Sequence, residues 1–142
     1  MEIVEGEWSI VLNENDMVLN VHIPEGGKLD HDLCKKSYNE ALKFFQEYFP
    51  DISFKAFTCY SWLLDINLKE ILDTNSNIVQ FLCDFLPFPV YSPKEAQVYE
   101  RVFGEYADDV NKLSENTLLQ KAIKQYINAG NFMRNGVGFV LI

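Results

Sequence analysis

Met17-Val18-Leu19-Asn20-Val21-His22-Ile23-Pro24-Glu25-Gly26-Gly27-Lys28-Leu29-Asp30 is the stretch that decides the fold. Its first seven residues alternate. Met17, Leu19, Val21 and Ile23 share one side of an extended chain, and Val18, Asn20 and His22 share the other. Pro24 then breaks the strand, and Gly26-Gly27 supply a turn. Asp30 suits a helix N-cap, and Asp32 falls in the first turn, where the helix dipole favours a carboxylate. Beyond it Leu33, Cys34, Tyr38, Ala41, Leu42, Phe45, Tyr48 and Phe49 recur at helical spacing, with Lys35, Lys36, Glu40, Lys43 and Glu47 on the wet side. Pro50-Asp51 ends the helix. Strand, glycine turn and long amphipathic helix in succession predict an α/β unit.

Outward from this core, residues 8–12 read as a strand joined to 17–23 through the turn Asn13-Glu14-Asn15-Asp16. Residues 54–60 form a buried strand, 62–72 a short helix and 77–85 a further strand. Leu86-Pro87-Phe88-Pro89-Val90 is excluded as a central strand, because proline removes ladder donors. Pro93 suits the first turn of a helix reaching Phe103. Residues 104–116 are acidic and polar, and read as a mobile surface loop. Thr117 caps a helix that runs to Ala129, with Gly130 at C′. Residues 137–142 form the last strand. The order is β-β-α-β-α-β-α-α-β, an α/β fold with a largely parallel or mixed sheet flanked by helices on both faces. The whole of residues 1–142 reads as one domain, without repeats or linkers.

Composition limits the function. With 48% hydrophobic and 14% aromatic residues, the 142-residue chain can bury a core. No apolar run reaches the roughly 18 residues of a membrane span. The acidic start is unlike a signal peptide, and a cytoplasmic setting is expected. Cys34, Cys59 and Cys83 are an odd set without a C-x-x-C pair, which points to reduced thiols. Two distant histidines and scattered carboxylates offer no metal-ligand spacing. The net charge of -9 repels nucleic acid and anionic membrane, and suits an amine-bearing small molecule.

Several further segments complete a pattern. Val21-His22-Ile23-Pro24-Glu25-Gly26-Gly27 leads into a helix ending Phe44-Phe45-Gln46-Glu47-Tyr48-Phe49-Pro50. Ala56-Phe57-Thr58-Cys59-Tyr60-Ser61-Trp62-Leu63-Leu64-Asp65 follows, then Asp73-Thr74-Asn75-Ser76-Asn77-Ile78-Val79-Gln80-Phe81. Leu118-Leu119-Gln120 and Gly130-Asn131-Phe132-Met133-Arg134-Asn135-Gly136-Val137-Gly138 close the set. In this order they resemble the GNAT-like C-terminal domain of bacterial acyltransferase domain-containing proteins. The resemblance implies a GNAT-like fold, acetyl-CoA or another acyl-CoA as co-substrate, and transfer of the acyl group to an amine by direct attack. In that family the region usually follows an N-terminal acyltransferase-like region, so the implied partners are that region or a second copy of the chain. The usual Q/R-x-x-G-x-G/A signature is absent, and tyrosine stands after Cys59 where histidine is more frequent.

The candidate residues follow from this chemistry. Ile23, Gly26, Gly27 and Lys28 stand at the strand-to-helix junction, where backbone N–H groups can cradle a pyrophosphate; the alternative is an ordinary glycine turn. Tyr60 at the end of the next strand is the candidate acid toward the departing thiolate, or else a core aromatic. His22 is a candidate base for the amine, or a structural histidine. Asp65 either orients a substrate amine or caps the helix that follows it. Arg134, among glycines and asparagines, either holds a carboxylate or phosphate or sits exposed in a turn. Nothing around Cys59 activates it as a nucleophile, and His31 reads as a surface residue. The competing function is a non-catalytic module of the same fold that binds a ligand or a partner.

Overall fold

The computed structural model describes residues 9–27, 29–91 and 97–142. Its centre is a four-stranded sheet in the order β1-β2-β4-β3. The strands are β1 (Met17–Asn20), β2 (Phe54–Ser61), β3 (Leu86–Pro89) and β4 (Gly136–Leu141). β1 and β2 run parallel through the crossover helix α1 (His31–Tyr48), whereas β4 is antiparallel to both β2 and β3. The sheet is mixed and flanked by helices, as the alternation of strands and helices implied.

Local chemistry sets the element ends. The Asp30 carboxylate accepts from Leu33 N–H at 3.0 Å and starts α1. Tyr38 and Phe45 of α1 reach the sheet at Phe57 and Phe54, each with ring centroids 5.1 Å apart. After β2, Ser61 Oγ accepts from Leu63 N–H and bends the chain into a 3-10 turn, Trp62–Leu64. Helices α2 (Leu68–Ile71), α3 (Asn77–Asp84) and α4 (Leu118–Asn128) follow. Thr117 and Gln120 cap α4 reciprocally, and Gly130 adopts a left-handed φ of 91° beyond its end. Leu64, Leu68, Phe81, Leu82, Ile123 and Met133 are fully buried members of one core.

The structure corrects several sequence expectations. Trp8 lies outside the described residues, and residues 9–12 form no strand. Ile10 is 83% exposed, and Asn13 and Asp16 turn the chain through local hydrogen bonds instead of pairing it. β1 stops at Asn20, short of Ile23. Where a strand is expected over 77–85, residues 77–84 form helix α3. Ser76 Oγ caps it by accepting from Val79 N–H, and Ile78, Phe81, Leu82 and Phe85 fall at helical spacing. Residues 86–89, excluded as a central strand, pair as the edge strand β3, where proline is tolerated. The short helix expected over 62–72 is broken at Asp65. Pro93 lies outside the described residues, and the helix expected to Phe103 is seen as a π-helical turn, Tyr99–Phe103. Residues 104–116 are anchored, with Val110 and Leu113 buried and Lys124 Nζ donating to Leu113 C=O at 3.0 Å.

β4 contains Gly136 because its neighbour leaves no room. A Cβ there would stand 2.2 Å from Leu64 C=O. Gly136→Ala is expected to lower stability by about 3 kcal/mol, read as a drop in the urea midpoint. Gly27→Ala, whose Cβ would meet nothing nearer than Pro24 at 3.7 Å, is expected to change it by less than about 0.5 kcal/mol.

Candidate functional site

β1 and β2 share a parallel ladder only part of the way. The last paired residues are Asn20 and Thr58, and Val21 N–H still donates to Thr58 C=O at 2.7 Å. The following rung, from Tyr60 N–H to Val21 C=O, is not made. β2 continues to Ser61 paired to β4 alone, while the other chain leaves through His22, Ile23 and Pro24. Met17 and Val18 face Phe54 and Ala56, so β2 carries one extra residue there, a bulge, and bulges sharpen local twist. The two strands therefore part at the level of Val21 and Thr58.

A cleft of about 570 Å³ opens beside the parting. Ile23, Gly26 and Gly27 line it, together with Pro24, Glu25 and Leu29. Across from them stand Trp62 and Leu63 after β2, Asn77 and Ile78 at the start of α3, and Glu100 and Arg101 in the π-helical turn. Gly26 holds a φ of 73°, a conformation that L side chains rarely adopt, so the tight turn depends on glycine. Glu25 pairs with Arg101 across the cleft. Lys28 lies outside the described residues. Helix α1 begins beside the cleft with Asp30 occupying one of its free N–H groups.

The remaining candidates are dispersed. His22 is exposed, with Nε2 3.3 Å from Asn20 Nδ2. Tyr60 is 49% exposed, and its Oη accepts from Asn135 Nδ2 at 2.8 Å. Asn135 is buried, and its Oδ1 accepts from Gln97 N–H at 3.1 Å. Asp65 is buried. Burial pushes its carboxyl up against the opposite pull of hydrogen bonds from Arg134 N–H at 2.7 Å and from Asn67. It thus ties the chain before β4 to the turn after β2. The Arg134 guanidinium lies 4.3 Å over the Phe132 ring. Asp65 and Arg134 share a hollow of about 160 Å³ with Pro87 and Phe88, distinct from the cleft at the glycine turn.

Sequence reasoning missed Asn77, Arg101 and Asn135. Ser76 before Asn77 is a helix-cap signal that points to the first turn of α3. Nothing local marks Arg101 or Asn135, since their roles arise from tertiary pairing. His31, read as a surface residue, bridges α1 to α3 through Asp84 at 2.9 Å. Among the described residues no three His, Cys, Asp or Glu side chains gather into a metal-binding group, and no helix is long and apolar enough to cross a membrane.

Comparison with known proteins fits this geometry. Residues 2–140 match the family described as the GNAT-like C-terminal domain. The chain is similar to an acyltransferase crystallised in complex with decanoyl-CoA, at 30% identity and a TM-score of 0.79 over 92% of this chain. It also resembles an acyltransferase in complex with decanoyl-CoA and teicoplanin, at 28% identity and a TM-score of 0.74 over 86% of this chain. A third similar structure is an acyltransferase with CoA and 10C-teicoplanin, at 27% identity, a TM-score of 0.74 and the same 86% coverage. The chain spans only 41%, 40% and 40% of those three chains. No curated protein matches it.

Two of the three thiols, Cys34 and Cys59, are inert by position. Burial pushes Cys59 up to about 11, and burial together with Asp84 and Asp30 raises Cys34. At pH 8 little of Cys59 is therefore thiolate. Iodoacetamide is therefore expected to label exposed Cys83 in the native protein, and all three cysteines in urea. Early labelling of Cys59, read by intact mass and peptide mapping, would contradict this.

Proposed function

Because the chain belongs to the family of the GNAT-like C-terminal domain, we propose that it binds acyl-CoA and forms the donor-binding part of an acyltransferase. The observation that carries this reading is the parting of β1 and β2 beyond the Val21–Thr58 hydrogen bond. Alternation along β2 turns the Tyr60 backbone N–H and C=O toward the gap. An extended ligand bearing amides, as pantetheine does, can take the rung that Val21 leaves open. The pyrophosphate would lie over Gly26 and Gly27, with Arg101 and Lys28 as its cations. The similar acyltransferases crystallised with decanoyl-CoA or CoA support an acyl-CoA donor.

The proposed reaction is attack by an acceptor amine on the thioester carbonyl. A C–N bond forms, the C–S bond breaks, and the departing thiolate takes the proton of Tyr60. The hydrogen bond from Asn135 Nδ2 to Tyr60 Oη suits that role, since it leaves the hydroxyl proton free and stabilises the phenolate. His22, steadied by Asn20, is the proposed acceptor of the amine proton. The hydrogen bonds that Asp65 accepts favour its local role over one in holding an amine. Arg134 remains the proposed contact for an anionic group on the acceptor. The teicoplanin complexes of similar structures support a small-molecule acceptor.

A second reading has its own support. Asp30 and Asp32 put negative charge at the α1 N-terminus where the pyrophosphate would approach, which favours a module that binds a partner without catalysis. In either reading we propose that a further acyltransferase region completes the protein. Among the described residues nothing pairs with the outer edge of β1. The net charge of -9 disfavours a second copy as the cover.

Millimolar CoA is expected to raise the thermal unfolding midpoint, since a ligand at about 100 times its dissociation constant adds roughly 2.7 kcal/mol. No shift, with or without the proposed further region, would sink the donor-binding role. Arg101→Ala is expected to weaken CoA about tenfold, and Glu25→Gln to tighten it a few-fold, by calorimetric titration. Tyr60→Phe is expected to lower turnover about 100-fold with CoA affinity unchanged; unaltered turnover would remove Tyr60 as the acid.

A further inference from the structure

A trough leads away from the cleft along α1, and we infer that it receives the acyl tail of the donor, an inference that rests on the acyl-CoA reading above. Three hollows join end to end. The cleft at the glycine turn shares Ile23, Pro24, Gly27 and Leu29 with a second hollow of about 210 Å³. That hollow shares Val21, His22, Ser37 and Tyr38 with a third, also about 210 Å³, which reaches Ala41 and Phe45. The sheet forms the floor through Leu19, Val21 and Phe57, and α1 forms the wall.

The trough accounts for an anomaly of α1. None of the 18 residues of this helix is buried, although Cys34, Tyr38, Ala41 and Phe45 recur at the spacing of a single stripe and are each partly covered. An amphipathic helix ordinarily buries such a stripe against its sheet. Here the stripe touches the core through Cys34 and Tyr38 and the sheet through Phe45, yet it also borders these hollows, so part of its apolar surface is left for another occupant.

The chemistry and size of that occupant follow. Val21, Leu33, Ala41 and Phe45 present hydrocarbon above the buried Leu19 and Phe57, while the exposed residues Asn20, His22 and Ser37 stand along the rim. From Leu33 to Phe45 the helix rises about 18 Å, at roughly 1.5 Å per residue. An extended chain of about ten carbons, with bonds of about 1.5 Å, is shorter than that. An uncharged alkyl chain also escapes the repulsion that the acidic surface imposes on anions. Continuity with the cleft selects the donor's own tail over a free chain, because one molecule then fills both.

The test is calorimetric titration of the 142-residue chain with CoA, acetyl-CoA, octanoyl-CoA and decanoyl-CoA, with sodium decanoate as a separate arm. Each methylene seated in the trough tightens binding by up to roughly fourfold. Decanoyl-CoA is therefore expected to bind more than tenfold tighter than acetyl-CoA, with octanoyl-CoA between them. Ser37→Trp and Ala41→Phe, both checked for cooperative unfolding, are expected to cut this preference below threefold. Lys36→Trp, on the outer side of α1, is expected to keep it. If CoA binds but the wild-type preference is near one, or if both filling variants keep it, the tail assignment is overturned while the cleft reading stands. If CoA itself does not bind, the cleft reading fails and takes this one with it. Decanoate binding as tightly as decanoyl-CoA would make the trough a free fatty-acid site and also overturn the assignment.

Discussion

The hydrogen bond from Val21 N–H to Thr58 C=O, 2.7 Å long, is the point on which the rest of the arrangement depends. Up to it, β1 and β2 form an ordinary parallel ladder. Beyond it, Pro24 has no N–H to give, and Gly26 turns the chain at a positive φ toward the start of α1. β2 does not follow, because β4 holds it on the other side through Ser61 and Gly136. One strand is bent away while its neighbour is held straight, so the gap is a consequence of unequal restraint.

That restraint on β2 comes from close packing behind β4. Gly136 and Gly138 let Leu64 and Phe85 approach to distances that no Cβ would permit. Asp65 then reaches across to Arg134 N–H, and Asn135 reaches from the same segment to Tyr60 Oη and to Gln97 N–H. A buried carboxylate and a buried amide, each supplied with partners, fix the segment before β4 in one position. The Tyr60 hydroxyl is held by the same construction that holds β2, which couples this side chain to the rigidity of its strand.

Where sequence reasoning succeeded, the information was local. The Asp30 and Thr117 caps, the glycine at C′ of α4 and the α1 stripe are all decided within a few residues. The turn of Ile23, Gly26 and Gly27 was legible for the same reason, as was its place at a strand-to-helix junction. Where reasoning failed, β-branched and aromatic residues outweighed a cap. Ile78, Val79, Phe81 and Phe85 suggest a strand until Ser76 is given its weight, and the strand then moves to the proline-bearing edge at Leu86. Arg101 and Asn135 were invisible because their partners are 76 and 75 residues distant in sequence. The trough beside α1 was hidden too: periodicity says which residues share a face, and not whether the face is filled.

The proposed binding of an anionic ligand by an acidic protein needs an explanation, and distance supplies it. At physiological ionic strength the Debye length is about 8 Å, so charges on the far surface contribute little at the cleft. Among the described residues the charges lining it are Glu25 and Glu100 against Arg101. Glu25 already answers Arg101, so the cation is held in place by a pair that is largely exposed to solvent. An exposed pair of this kind is worth about 0–1 kcal/mol, whereas a phosphate oxygen offers a guanidinium a stronger, bidentate partner. The pair is therefore a weak latch. It keeps Arg101 over the glycine turn and is readily exchanged, so Glu25 positions the group proposed to meet the phosphate.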